Sequence, residues 1–194
     1  MKKIILNDLM NILEYEKCRS TYRSELMTYK KHRRISLGPN ITMTFENRKT
    51  MKFQIQEMMR AERLVQDDDI QDEIDVYNSL LPDENCLSAT LFLEVTDPNK
   101  IKPILNKFIG LTEEKTVYLE VLNQKTYASF EGGREEADKI SSVHYIDFKI
   151  PSNCISIFDS DEKIKLGIDY KDYSFEKELS SEMQLSLHKD LNLI

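Results

Sequence analysis

The hydrophobic pattern of this chain changes period midway along, and that change limits its fold more than any single motif. Up to about residue 85 the apolar residues recur mainly at spacings of three and four. From Leu87 onward they mostly alternate. The first pattern buries one face of a helix and the second buries one face of a strand. A chain that runs helices first and strands later folds as an α+β protein, because a doubly wound α/β sheet needs the two types interleaved. The sequence thus predicts N-terminal helices with a β-hairpin, then a mostly antiparallel sheet packed against helices. Residues 1–194 are read as one domain, with a basic helical region over residues 1–85 and an acidic strand-rich region over residues 86–194.

The expected elements follow from periodicity and punctuation. Tyr15, Cys18, Tyr22, Leu26 and Tyr29 mark a helix over Leu13–Tyr29, closed by cations that suit a helix C-terminus. Ile35–Leu37 and Ile41–Phe45 form a hairpin around Gly38-Pro39-Asn40. Thr50 is placed as the N-cap of a helix from Met51 to Val65, and Asp69 as the cap of a shorter one ending at Tyr77. Asp97-Pro98 opens a helix to Ile109 that Gly110 ends. Strands are expected over Leu87–Val95, Thr116–Leu122, Thr126–Phe130, Ser142–Ile150, Lys163–Asp169 and Tyr173–Phe175. A charged loop fills Glu131–Lys139, and a last helix covers Ser180–Leu191.

Charge is split along the chain. Residues 1–65 carry 14 Lys and Arg against 7 Asp and Glu, whereas residues 66–194 carry 13 against 27. Two readings stand: mutual neutralisation within one domain, or an exposed basic patch for an anionic ligand or an acidic protein. The overall excess of acid argues against nucleic acid as the partner. Cys18, Cys86 and Cys154 are odd in number and widely spaced, which fits free thiols in a reducing cytoplasm. The apolar run after Lys2-Lys3 stops at Asn7-Asp8, too short for a signal peptide, and no stretch is long enough to span a membrane.

P-loop, GxGxxG, HExxH and GxSxG motifs are absent, as is a helical Glu-x-x-His pair. Candidate site residues therefore rest on position. His144 falls on the apolar face of its strand with Ile146, Phe148 and Ile150, either as a hydrogen-bonded structural histidine or as an acid–base or ligand group. Gln54, Glu57 and Arg60 lie on the polar side of their helix, as a solvated face or as the edge of a cleft. Arg33 and Arg34, in Lys30-Lys31-His32-Arg33-Arg34, have the fork geometry that grips phosphate or carboxylate. The ligand-binding set is Arg33, Arg34, Gln54, Glu57, Arg60 and His144. No metal site, catalytic set, cofactor or oligomeric state is assigned.

Several strings also resemble a known family: Tyr29 through Pro39, Thr50 through Met58, Glu62-Arg63, Tyr77 through Asp83, Ala89-Thr90-Leu91, Ser142 through Tyr145 and Gly167-Ile168-Asp169. The family is a bacterial domain of unknown function, about 200 residues long, often encoded beside rubrerythrin and an iron–sulfur oxidoreductase. The resemblance implies an accessory protein linked to oxidative stress or iron redox systems, with a rubrerythrin-like or iron–sulfur partner. The alternative is a small ligand-binding protein or enzyme whose cleft gathers the Glu57 helix, His144 and the Arg33-Arg34 hairpin.

Overall fold

The structure, a computed structural model, describes residues 1–113, 115–133, 135–136 and 139–192. Its helices are α1 (Ile12–Lys31), α2 (Arg48–Glu62), α3 (Asp67–Ser79), the short α4 (Ile101–Leu105) and α5 (Ser181–Leu191). A five-stranded sheet takes the order β1 (Arg34–Leu37), β2 (Ile41–Glu46), β3 (Cys86–Leu93), β9 (Val143–Lys149) and β6 (Ser129–Phe130). A second sheet orders β11 (Tyr173–Glu178), β10 (Lys165–Tyr170), β4 (Val117–Val121) and β5 (Gln124–Tyr127). A small ribbon joins β7 (Glu135–Glu136) to β8 (Lys139–Ile140). Every pairing among the described residues is antiparallel, so the α+β class holds.

Alternation explains how the larger sheet is covered on both sides. Ile41, Met43 and Phe45 on β2, Ala89 and Leu91 on β3, and Ile146 and Phe148 on β9 face the main core, with the second sheet and α5 opposite. The alternate positions are polar yet buried: Thr42, Thr44, Glu46, Ser88 and Thr90. Helices gather on that polar side. Lys30 of α1 donates to Glu46 at 3.0 Å, and α2 packs with α3 and Ile4 into a separate apolar cluster. Truncating Phe148 to Ala, a fully buried core position, is expected to cost about 3–5 kcal/mol.

Several boundaries differ from the sequence expectation for local reasons. The N-cap of α2 is Asn47, not Thr50: Asn47 accepts from the Lys49 and Thr50 amides, and the Thr50 hydroxyl accepts from the Asn47 amide. Helix α2 ends at Arg63 in the left-handed region, before the expected Val65. Helix α3 starts at Asp67 rather than Asp69 and runs on to Ser79, its three leading aspartates suiting the positive helix terminus. The helix expected from Pro98 to Ile109 is broken into 3₁₀, α and 3₁₀ pieces. An unexpected 3₁₀ segment, Ser152–Asp159, buries Cys154 and Phe158. The charged loop expected at Glu131–Lys139 contains β7 and the start of β8; at Arg134, Ala137 and Asp138 it lies outside the described residues.

The expected hairpin turn forms, with Gly38 at a φ of +70° that favours glycine. The Phe175 ring of β11 lies against Gly38, and Tyr173 accepts from the Asn40 amide at 3.0 Å while donating to the Leu37 carbonyl at 2.5 Å. The second sheet is thereby fastened to the tip of the first.

Candidate functional site

Arg33 sits between α1 and β1 and is fully buried, which a guanidinium tolerates only when its donors are matched. Its Nε donates to the Phe45 carbonyl at 2.9 Å. One terminal nitrogen donates to Ser186 Oγ at 2.7 Å and to Tyr29 Oη at 3.3 Å, and the other to Asp190 Oδ2 at 2.5 Å. Asn47, while capping α2, donates to Asp190 Oδ1 and to Tyr29 Oη, each at 2.8 Å. One polar network thus pins the end of α1, the start of α2 and the face of α5. Burial pushes the Asp190 carboxyl up, and Arg33 and Asn47 pull it only some of the way back.

Above this network lies a cleft of about 810 Å³. Tyr22 and Tyr29 form its α1 wall, Arg48, Lys49 and Lys52 come from the start of α2, and Lys189 comes from α5. Arg48 pairs with Asp8, yet its Nε is buried with no hydrogen-bond partner. Lys49 Nζ stands 4.4 Å above the Tyr29 ring. Among the described residues, Lys49, Lys52 and Lys189 make no ion pair. One carboxylate among the described residues lines the cleft, Asp190, and it is already bonded on both oxygens. The cleft is therefore cationic with aromatic walls, and its field favours an anion.

The residues singled out from the sequence take other places. Arg33 forms the floor of the network rather than a lining group. Arg34 is half exposed on β1, paired with Glu94 and stacked 5.7 Å from the Phe92 ring centroid. Glu57 accepts from Tyr15 at 2.6 Å and from two nitrogens of Arg19, each at 2.8 Å, while Arg60 reaches Glu16 at 2.5 Å. Those contacts zip α2 to α1, and the Arg19 guanidinium holds the Glu57 carboxyl below its usual range. Gln54 is half-buried on the same helix. His144 is fully buried on the core face, its Nε2 2.8 Å from the Ser141 carbonyl and its ring edge-on to Phe130. Of the six, only Arg33 belongs to the cleft's network.

Sequence reasoning missed Asn47, Arg48, Lys49, Lys52 and Lys189. A usable signal was present. Helix N-termini favour acidic residues, yet α2 begins Arg48-Lys49 with no acidic residue in its first turn. Cations held against the local field point to a ligand, and placing the cap at Thr50 hid them outside the helix.

Within the Lys30–Arg34 run three cations are neutralised inside the molecule, Lys30 by Glu46, Arg33 by Asp190 and Arg34 by Glu94, and the His32 ring lies 2.8 Å from Glu182. Among the described residues no helix is long and apolar enough to cross a membrane, and no group of three or more His, Cys, Asp or Glu could hold a metal ion. Cys18, Cys86 and Cys154 are free.

No curated protein matches the chain. The fold is similar to a crystal structure of a novel protein of unknown function from Burkholderia pseudomallei K96243, with a TM-score of 0.91 and 27% identity, covering 98% of this chain and 100% of that one. Residues 3–191 match the family described as protein of unknown function (DUF3501), and the chain belongs to that family.

Proposed function

We propose that the protein is a binding protein whose cleft between α1, α2 and α5 holds a small anionic ligand bearing carboxylate or phosphate groups. The observation that carries this reading is that, among the described residues, Lys49, Lys52 and Lys189 make no ion pair around a cleft whose one lining carboxylate is bonded on both oxygens. Binding fits the site better than catalysis. The Ser186 hydroxyl accepts from Arg33, and the His188 ring is turned to the Ile155 carbonyl and the Asn192 amide. The network joining Arg33 to Asp190 supports reading the helical and strand-rich regions as one domain. The test is calorimetric titration with citrate and with pyrophosphate at low and high salt. Saturable binding that weakens with salt, and falls at least about tenfold in Lys52→Glu/Lys189→Glu, is expected. Absence of saturable binding by either anion, or binding indifferent to the double substitution, overturns the reading.

A second reading concerns partners. Asp67, Asp68, Asp69, Asp72, Glu73 and Asp75 crowd α3, which carries no basic residue. This acidic surface supports docking to a basic patch on a rubrerythrin-like or iron–sulfur redox partner in the cytoplasm, within an oxidative-stress system. Co-purification with such a partner, lost on Asp68→Lys/Asp72→Lys/Asp75→Lys, is the expected outcome. Equal retention of the partner by the triple variant contradicts it.

A further inference from the structure

A second cavity, independent of the anion cleft, lies on the polar face of the larger sheet. Glu46, at the end of β2, is 3% exposed. Its Oε1 accepts from Lys30 at 3.0 Å and from Thr90 at 3.3 Å. Its Oε2 is buried with no hydrogen-bond partner and belongs to a residue lining a cavity of about 190 Å³. Buried carboxylate oxygens are ordinarily matched by donors, so an acceptor left open beside a cavity points to a donor supplied from outside. The register sets Ser88 opposite both Glu46 and Asp147, and the Ser88 hydroxyl donates to Asp147. Glu131 contributes a third carboxylate to the lining. Lys30 is the cation paired with Glu46, and Met51 and Leu80, both of the apolar cluster on this side of the sheet, supply apolar wall.

We infer that this cavity binds a small primary alkylammonium ion, its ammonium donating to Glu46 Oε2 and Asp147 and its short chain lying against Met51 and Leu80. Size agrees with this, since the volume equals roughly six water-sized groups. An organic cation suits the site better than a metal ion, because the described carboxylates do not converge as a metal-ligand set. The ammonium offers three donors to acceptors already arranged around the cavity.

The experiment is an amide NMR titration of the full chain with n-butylammonium, using n-butanol as the neutral match. Saturable shifts at Ser88, Ser129 and Asp147 are expected with the ammonium, and at least about tenfold weaker binding with the alcohol. Asp147→Asn should lower ammonium affinity about tenfold, and Ser129→Trp, at the exposed rim, should block it while leaving the remaining spectrum folded. Glu46→Gln removes the open charged acceptor; if Lys30, left without its pair, unfolds that variant, the other two substitutions carry the test. Equal affinity for the alcohol, unimpaired binding in Ser129→Trp, or no saturable shift overturns the proposal. Citrate binding at the α2–α5 cleft is unaffected by any of these results.

Discussion

Arg33 illustrates how burial changes the meaning of a residue. In sequence it is one cation in a run of five, but in the fold its guanidinium is fully enclosed and faces Asp190 at 2.5 Å. Arg33→Met leaves that carboxylate buried without its cation and is expected to destabilise the protein by about 3–5 kcal/mol in urea unfolding. Arg33→Met/Asp190→Leu should recover much of the loss, because the uncompensated charge goes with it. Glu57 gives a pH signature of known sign. Arg19 depresses its carboxyl below the ordinary value of 4.5, so its contribution is complete above that pH and lost as pH falls through the depressed value. Glu57→Gln should therefore flatten the acid side of the stability profile, read as urea midpoints between about pH 6 and about pH 3. Asp190 acts in the opposite direction: its raised carboxyl favours the folded state as pH falls toward the ordinary value of 3.8.

At the scale of elements, α2 combines structural and binding demands in its first turns. Lys49 opposes the positive helix terminus yet lies over the Tyr29 ring. Lys49→Glu gains roughly 0.5–1 kcal/mol from the dipole and loses a comparable cation–π contact. Its unfolding midpoint should remain near that of the wild type while citrate affinity falls; parallel loss of both would mean that Lys49 serves the fold alone. Asn47→Ala removes the cap and two bonds of the buried network, and a loss of at least about 1–2 kcal/mol is expected. The element scale is also where the sequence was most legible. Period-two alternation located β3 and β9, and period-three-and-four spacing located α1 and α5, because both patterns arise from burying one face. Three features were less legible. The cap of α2 depends on the Asn47 side chain, the break in the 98–108 helix on packing, and the division of strands into two sheets on long-range pairing.

Across the whole molecule, the charge asymmetry is offset in part by pairs between the two regions, Arg33 with Asp190 and Arg34 with Glu94, while Arg19, Lys30, Arg48 and Arg60 pair within the basic region. The neutralisation reading therefore accounts for Lys30, Arg33 and Arg34 of that run, while Lys49, Lys52 and Lys189 around the cleft make no ion pair among the described residues. Convergence of sites could not be read from spacing. Arg33 and Asp190 are 157 residues apart, whereas Glu57 and His144 serve separate surroundings. An amide NMR titration of the full chain with citrate is the decisive measurement for an anion cleft between α1, α2 and α5. Saturable shifts are expected at the cleft-lining residues of all three helices, around Tyr22 and Tyr29 and over residues 47–52 and 186–192, with the rest of the spectrum unmoved. Shifts scattered over surface lysines outside the cleft, or none at all, would contradict it.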